Sequence, residues 1–199
     1  MRVLLLIRKE NSDVENIDYI KAIKLFGGEV VLIEDNALES EVYKKLKTID
    51  GVLLPGGDNI GRLDFFIINY AYQNNLRMLG ICQGMQSMAL WKSKDSLISL
   101  ENDIHYSPDK YKHSVILNDS LVKSILKKDK LMVNSHHKQH VVTSTMFKVV
   151  GFSDDGVVEV IENSNASFQI GVQWHPERMI DYDEYSRVLF RKFLSDDQN

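Results

Sequence analysis

The sequence predicts an α/β protein of one domain, with a central, mostly parallel sheet flanked by helices and a small antiparallel meander. Two patterns predict this class. In the first half, short apolar runs alternate with segments whose apolar residues recur at helical spacing. In the second half, short strands alternate with turn-rich stretches. The chain has 199 residues, 44% of them hydrophobic, which suits one domain (residues 1–199) with a substantial core.

The first half predicts four strands, each followed by a helix. The strands are expected at residues 3–7, 29–33, 51–54 and 78–81, and the first of these is a continuous apolar run. Ser12 and Glu15 form a capping-box pattern before the first helix, and Gly27 ends it. The apolar stripes of the four helices are Ile17, Ile20, Ile23 and Phe26; Leu38, Val42 and Leu46; Leu63, Phe66, Ile67 and Tyr70; and Met85, Met88, Ala89 and Trp91.

The second half begins with a predicted surface loop over residues 93–112. A strand at 113–117 and a short helix at 121–126 follow, and the apolar run 131–133 leads into a histidine-rich segment. Strands at 147–151, 157–161 and 168–172 are predicted to form the antiparallel meander. The last helix carries apolar residues at helical spacing, namely Tyr185, Val188, Leu189 and Phe193.

Charge and cysteine usage exclude several classes of function. The net charge of -4 argues against general affinity for nucleic acids or anionic membranes. A single cysteine makes no internal disulfide, so nothing requires an oxidising compartment. The apolar run before Arg8 is too short for a signal-peptide core or a membrane span. We therefore expect a cytoplasmic protein with neither a nucleic acid nor a membrane as partner.

The only cysteine stands in the pattern Gly80-Ile-Cys82-Gln-Gly84, between a predicted strand and a predicted helix. A strand that enters a helix through one residue forces that residue into a strained turn, and flanking glycines remove clashing side chains. The side chain then lies at the helix N-terminus, where backbone amides and the helix dipole stabilise a thiolate. The pattern therefore fits a nucleophile elbow. It also fits a buried structural cysteine between two packing glycines.

A base for this thiol is available in the segment Gln173-Trp-His175-Pro-Glu177. Proline restrains the residue before it to an extended conformation, and residues two apart in an extended segment project to the same side. Glu177 is therefore expected to reach the His175 imidazole and fix its tautomer. The other interpretation is a surface histidine and glutamate at the exit of a strand. Ligands of parallel sheets bind beyond the carboxyl ends of the strands, where Cys82 and the turn Pro55-Gly56-Gly57 are both expected.

These three blocks together resemble the signature blocks of class I glutamine amidotransferase domains, in the same order and at comparable spacing. The resemblance covers nearly the whole chain and implies the single-domain, flavodoxin-like fold of that family. It implies a Cys-His-Glu triad of Cys82, His175 and Glu177 that acts through a γ-glutamyl thioester. By the same resemblance, the backbone amides of Gly57 and Gln83 form the oxyanion hole, and Gln86 helps to hold the glutamyl group.

The block Asn134-Ser135-His136 is similar to the γ-glutamyl-GABA hydrolase branch of this family, in which the loop contributes to the glutamyl pocket. The resemblance therefore assigns Ser135 and His136 to substrate binding. The chain departs from that branch in a shorter loop after Gly57, and from many amidotransferases in having Met85 where they have histidine. In its compactness it resembles the γ-glutamyl-CDP-amidate hydrolases of capsular polysaccharide phosphoramidate synthesis, which release L-glutamate and cytidine diphosphoramidate.

The best expectation is therefore a hydrolase of a small γ-glutamyl compound, with nucleotide-linked γ-glutamyl-CDP-amidate as the first candidate. The alternatives are a glutaminase subunit that supplies ammonia to a separate synthetase, a γ-glutamyl-GABA hydrolase, and a scaffold without activity. No cofactor is predicted. His136, His137 and His140 suggest a metal site, but no acidic or cysteine ligand stands nearby in sequence. The sequence thus predicts no metal.

Overall fold

A computed structural model describes residues 1–101 and 103–195 of the chain. The helices are α1 (Asp13–Leu25), α2 (Glu39–Leu46), α3 (Arg62–Gln73), α4 (Gln83–Leu90), α5 (Leu121–Leu126) and α6 (Glu184–Leu194). The strands are β1 (Arg2–Ile7), β2 (Glu29–Glu34), β3 (Gly51–Leu54), β4 (Arg77–Ile81), β5 (Ile98–Ser99), β6 (His113–Leu117), β7 (Lys130–Val133), β8 (Gln139–His140), β9 (Lys148–Ser153), β10 (Val158–Glu162) and β11 (Gln169–Val172). Single 3-10 turns span Asp103–His105 and Pro176–Arg178.

Nine strands form one mixed sheet in the order β2-β1-β3-β4-β11-β10-β9-β6-β7. The first five of these run parallel to one another, and pairing is antiparallel from β11 through β10, β9 and β6 to β7. β5 and β8 pair in a separate two-stranded sheet. The predicted fold class, a mostly parallel sheet flanked by helices with an added antiparallel part, is confirmed.

Helices cover both faces of the sheet. Alternate residues of β1 point to opposite sides, so Val3 packs in one apolar cluster and Leu4 in the other. The first cluster contains residues of α1, α5 and α6, and the second contains residues of α2, α3 and α4. Among the described residues, no helix combines the length and apolar character that crossing a membrane requires.

Local signals at the helix ends are mostly confirmed. Ser12 and Glu15 form the predicted capping box at the start of α1, with the Ser12 backbone N–H donating to Glu15 Oε2 at 2.9 Å. Two predicted stripe residues are wrong in detail: Ile17 is 55% exposed and Leu38, which precedes α2, is 65% exposed. Tyr19 of α1 is buried in the core instead, where its hydroxyl accepts a hydrogen bond from the Gly56 backbone N–H.

Two parts of the second half differ from the sequence prediction. β11 was predicted within the antiparallel meander, yet it lies between β4 and β10 and is parallel to β4. All four of its residues are buried, and a strand covered on both faces carries no alternation that would reveal its neighbours. The predicted surface loop at 93–112 contains β5 and a 3-10 turn, and it buries His105 completely.

Candidate active site

Cys82 lies alone between β4 and α4, with φ 52° and ψ −109°. This backbone conformation is strained for a residue with a side chain, and strain of this kind persists only where the surroundings impose it. The surroundings here are the glycines on either side. A Cβ at Gly84 would overlap the Leu54 carbonyl oxygen, and a Cβ at Gly80 would overlap the Met88 sulfur. The close approach of α4 to β3 and β4 therefore depends on both glycines.

The pairing of β4 with β11 brings His175 beside Cys82. Ile81 and Val172 are partners at the carboxyl ends of these parallel strands, and the Cys82 amide donates to the Val172 carbonyl at 2.8 Å. The chain then needs only three more residues to reach His175, whose imidazole lies beside the Cys82 side chain. Gly56 lies against both, because a Cβ there would meet His175 Cε1 at 2.9 Å and Cys82 Cβ at 3.4 Å.

Glu177 contacts His175 on the other side of the ring, with Oε1 2.7 Å from Nδ1. Both side chains are buried. An extended segment predicts this contact, but the chain enters a 3-10 turn at Pro176, and this turn brings the Glu177 carboxylate to the imidazole. Burial alone would lower the pKa of His175. The charge of Glu177, together with Cys82, outweighs burial and raises the pKa to about 9.

Asn134 fixes the backbone of His175, a role that the sequence analysis did not assign to it. Its side-chain Nδ2 donates to the His175 carbonyl at 2.9 Å, and its Oδ1 accepts from the His175 amide at 2.8 Å. This two-point contact ties the end of β7 to the segment after β11. The motif around Asn134 is visible in the sequence. Its contact with the His175 backbone is not, because a contact between residues 41 positions apart leaves no local pattern.

The two predicted oxyanion donors lie together at the ends of β3 and β4. Among the described residues, neither the Gly57 nor the Gln83 backbone N–H has a hydrogen-bond partner. A Cβ at Gly57 would overlap the Gln83 side chain, which shows how close the two residues are. The preceding amide is occupied, because the Gly56 N–H donates to the Tyr19 hydroxyl at 2.9 Å. The Arg8 side chain also packs closely against Gly57, because a Cβ at Gly57 would overlap it.

Arg8 belongs to a buried ion pair beneath this turn. Its guanidinium donates to both carboxylate oxygens of Asp64, at 2.5 and 3.2 Å. Asp64 also accepts from the Ser87 hydroxyl at 3.1 Å and from the Gly61 amide at 2.9 Å. A carboxylate with four donors is well compensated for its burial. The pair therefore connects β1, α3 and α4 under the site.

Two glutamine side chains form a directed chain of hydrogen bonds to the sulfur. Gln86 Nε2 donates to the Gln139 carbonyl at 2.9 Å, and a backbone carbonyl only accepts, so the orientation of the Gln86 amide is fixed. The same nitrogen donates to Gln173 Oε1 at 3.1 Å. Gln173 must then present its NH₂ group to Cys82 Sγ, 3.6 Å away. Gln173 was not assigned a role from the sequence.

The two residues predicted to bind substrate from the loop after β7 differ in their placement. His136 lines the cavity beside Cys82 and stacks on Tyr106, with ring centroids 4.1 Å apart. Burial and the charges of Arg178 and His175 lower the pKa of His136. Ser135 is fully buried, and its hydroxyl donates to the His105 carbonyl at 2.8 Å. The structure thus brings His136 to the other site residues and turns the Ser135 side chain away from them.

The site opens into a cavity of about 670 Å³. Tyr106, His136 and Lys138 form one wall, which we call the loop wall. Glu10, Gly57 and Asp58 form another part of the lining, which we call the turn rim. The cavity extends well beyond the sulfur, so it has room for a ligand with a group on each side of a scissile bond.

The histidines weighed as metal ligands from the sequence do not come together as a group. His136 lines the cavity, and His140 Nδ1 contacts the Val141 carbonyl at 3.1 Å. His137 lies instead with His105, His113 and Glu159, and the ligand atoms of these four residues are all within 4.8 Å of one another.

Comparison with known proteins gives one family. A family model described as Peptidase C26 matches residues 61–177. Gamma-glutamyl-gamma-aminobutyrate hydrolase PuuD of Escherichia coli K12 is 28% identical over 217 residues, covering 89% of this chain and 84% of that protein. CTP synthase of Rickettsia conorii is 27% identical over 207 residues, and the match spans 83% of this chain but only 38% of that protein.

Solved structures share the fold. The glutaminase domain of Trypanosoma brucei CTPS with bound acivicin superposes with a TM-score of 0.77 at 16% identity, covering 97% of this chain and 93% of that domain. At this identity the likeness concerns the fold alone.

Proposed function

The chain belongs to the Peptidase C26 family of class I glutamine amidotransferase-like proteins, and on that basis we propose that it hydrolyses γ-glutamyl amides with Cys82, His175 and Glu177. The family and the similarity to γ-glutamyl-GABA hydrolases support an amidohydrolase. The assignment of residues is supported by the placement of Cys82 and His175 side by side at the joined ends of β4 and β11, and by the contact of His175 Nδ1 with Glu177 Oε1 at 2.7 Å.

In the first half-reaction, Cys82 Sγ attacks the γ-carbonyl carbon, and the carbonyl oxygen acquires negative charge. The unpartnered amides of Gly57 and Gln83 are proposed to bind that oxygen, and each such donor is worth about 3 kcal/mol in comparable sites. The imidazolium of His175 then gives its proton to the departing nitrogen, the C–N bond breaks, and a γ-glutamyl thioester remains.

In the second half-reaction, His175 takes a proton from water, which attacks the thioester carbonyl. The C–S bond breaks, glutamate leaves, and His175 keeps the proton taken from water, so the cycle ends with the imidazolium beside the freed sulfur as it began. Glu177 keeps the ring in the tautomer that presents Nε2 to the sulfur throughout, because it accepts from Nδ1. Gln86 is proposed to hold the glutamyl group through its Oε1, since its NH₂ group is already committed to Gln139 and Gln173.

As substrate we propose γ-glutamyl-CDP-amidate, whose leaving group is cytidine diphosphoramidate. The basis is the resemblance of this compact chain to the hydrolases of that compound. The size of the cavity supports a leaving group larger than ammonia. Lys138 at the loop wall supplies a cation for a diphosphate. The relatives support the γ-glutamyl part of the substrate and carry no information on this amine.

The test is to measure glutamate release by the purified protein from glutamine, γ-glutamyl-GABA and γ-glutamyl-CDP-amidate. We expect hydrolysis of the nucleotide compound at the highest kcat/KM and none by the Cys82→Ala variant. Faster hydrolysis of γ-glutamyl-GABA would reject the nucleotide and keep the hydrolase. Glutamine turnover that appears only with an added synthetase would favour the ammonia donor, as the CTP synthase match allows.

The scaffold alternative is tested by covalent labelling with a glutamine-analogue electrophile. Because Cys82 is the only cysteine, the mass of the intact protein reports the modification of this thiol directly. One adduct per chain in the wild type, with none in Cys82→Ala, supports the proposal. An intact, folded protein that is never labelled and releases no glutamate would reject it.

A further inference from the structure

Three histidines and a glutamate from distant parts of the chain meet in the interior behind the loop wall. His105 ends a 3-10 turn, His113 begins β6, His137 follows β7, and Glu159 lies in β10. The His105 and Glu159 side chains are completely buried, His137 is 5% exposed, and the side chain of His113 is 10% exposed. Such a concentration of titratable groups away from water is costly unless something compensates it.

The inner ring nitrogens all face one carboxylate oxygen. His105 Nδ1 and His113 Nε2 lie 3.5 Å from Glu159 Oε1, and His137 Nε2 lies 3.6 Å from it. These separations are too long for good hydrogen bonds. They match the spacing of neighbouring ligands around a tetrahedral metal ion, since bonds of about 2.1 Å place two ligand atoms about 3.4 Å apart. A bound tetrahedral ion would draw the widest pair, now within 4.8 Å, in to about 3.4 Å.

The outer ring nitrogens are already occupied, as metal-binding histidines require. His105 Nε2 contacts Asp155 Oδ2 at 3.0 Å, His113 Nδ1 contacts the Ser114 carbonyl at 3.3 Å, and His137 Nδ1 contacts the Gln139 carbonyl at 3.0 Å. An N–H that donates outward leaves the lone pair of the other nitrogen pointing inward. Each histidine is thus held in the tautomer and orientation that a cation needs.

Within the part of the chain that the structure describes, the inner atoms have no hydrogen-bond partner. These buried atoms are His105 Nδ1, His113 Nε2, His137 Nε2 and both carboxylate oxygens of Glu159. Buried polar atoms are nearly always paired, so four unpaired ligand atoms within 4.8 Å of one another indicate a ligand. We propose that His105, His113, His137 and Glu159 bind one divalent transition-metal ion of the Zn²⁺ type. The sequence predicted no metal because only His137 stands in the histidine-rich segment.

Four protein ligands fill a tetrahedral shell and leave no position for substrate, so the ion is structural. What it holds is the loop wall. His105 and His137 stand next in sequence to Tyr106 and His136, which line the cavity, and the His137 amide donates to the His105 carbonyl at 2.9 Å. The ion would also anchor this pair to β10, whose Glu159 carbonyl accepts from the Gln173 amide. Metal binding therefore positions one side of the substrate cavity.

The experiment is metal analysis of the tag-free, full-length protein, with thermal unfolding before and after chelation. We expect about one zinc ion per chain, a lower melting temperature after chelation, and recovery when Zn²⁺ is added back. Co²⁺ added to the chelated protein should give the visible absorption of a tetrahedral site. His113→Asn should weaken Zn²⁺ binding more than about 100-fold. His140→Asn serves as the matched control and should bind like the wild type, because His140 lies outside the cluster.

Three results would overturn the proposal. A folded wild type that takes up neither Zn²⁺ nor Co²⁺ would show that the cluster is an ion network, with His105 charged between Asp155 and Glu159. Equal metal content in wild type and His113→Asn would place the ion elsewhere. A melting temperature that neither chelation nor added Zn²⁺ changes would exclude a structural ion. The wild-type titration and Co²⁺ spectrum keep the test decisive if a variant fails to fold.

Discussion

The contact between His175 and Glu177 predicts the pH range in which the imidazole stays charged. The pKa of His175 is raised from its ordinary 6.5 to about 9, so the imidazolium is favoured through the neutral range and is lost as the pH rises through about 9. This shift of about 2.5 units corresponds to about 3 kcal/mol at 1.36 kcal/mol per unit. Glu177 and Cys82 share it, so we expect Glu177→Gln to lower the pKa by about 1 to 2 units.

The assay is an NMR titration of the histidine ring nitrogens, which reports this pKa even in an inactive variant. The His175 resonance is assigned by its absence in His175→Gln. Other titratable groups near the ring are Tyr19, Glu15, His136 and Arg178, and they are unchanged in the variant. We also expect kcat to fall by about 10²- to 10⁴-fold, because the ring loses the partner that fixes its tautomer.

The control for this prediction is Glu162→Gln, which removes a carboxylate that is equally buried. Glu162 accepts from the Leu121 and Val122 amides at the start of α5, away from His175. It should destabilise the protein without moving the titration of His175. The same midpoint in Glu177→Gln and wild type would refute the reasoning, since the carboxylate would then not be what holds the proton on the ring.

Three further predictions concern residues that support the site. Gln173→Leu removes the N–H that faces the sulfur and should lower kcat/KM about tenfold with little change in melting temperature, as steady-state kinetics would show; unchanged kinetics would contradict the contact. Asn134→Ala removes two hydrogen bonds to the His175 backbone and should lower the free energy of unfolding, measured with urea, by about 2 kcal/mol and also lower kcat. A loss of stability without a loss of kcat would show that Asn134 does not position His175. Asp64→Ala leaves the Arg8 guanidinium buried and unpaired and should cost about 3 to 5 kcal/mol, whereas a loss below 1 kcal/mol would show that water reaches the pair.

The sequence was most informative where chemistry and local structure coincide. The elbow around Cys82 was predictable because a strand, a single residue and a helix follow one another between two glycines. The strand boundary 51–54 and the short helix 121–126 were predicted as observed, because each is an apolar or periodic run bounded by turn residues.

Long-range pairing was beyond the sequence. The insertion of β11 beside β4 places His175 next to Cys82. A fully buried strand has the same apolar sequence pattern whether its neighbours are parallel or antiparallel, so the pattern does not identify them. The direction of the Gln173 amide depends on a chain of contacts that begins at a backbone carbonyl. Glu159 meets three histidines only because β10, β6 and two loops converge. None of these relations has a periodicity or a local motif.

The two sides of the cavity differ in how much binding capacity they retain. At the turn rim, the Glu10 carboxylate accepts from the Asp58 and Asn59 amides at 2.8 and 3.1 Å and from the Asn59 side chain at 3.0 Å. That carboxylate is committed to the loop after β3, which it ties to the loop after β1, and we call the joined loops the rigid lip. At the loop wall the Lys138 ammonium lies 4.5 Å from the centre of the Tyr106 ring, a contact that leaves its N–H donors available to a ligand. Evolution of a new amine preference in this scaffold should therefore alter Tyr106 and Lys138 first and leave the lip intact.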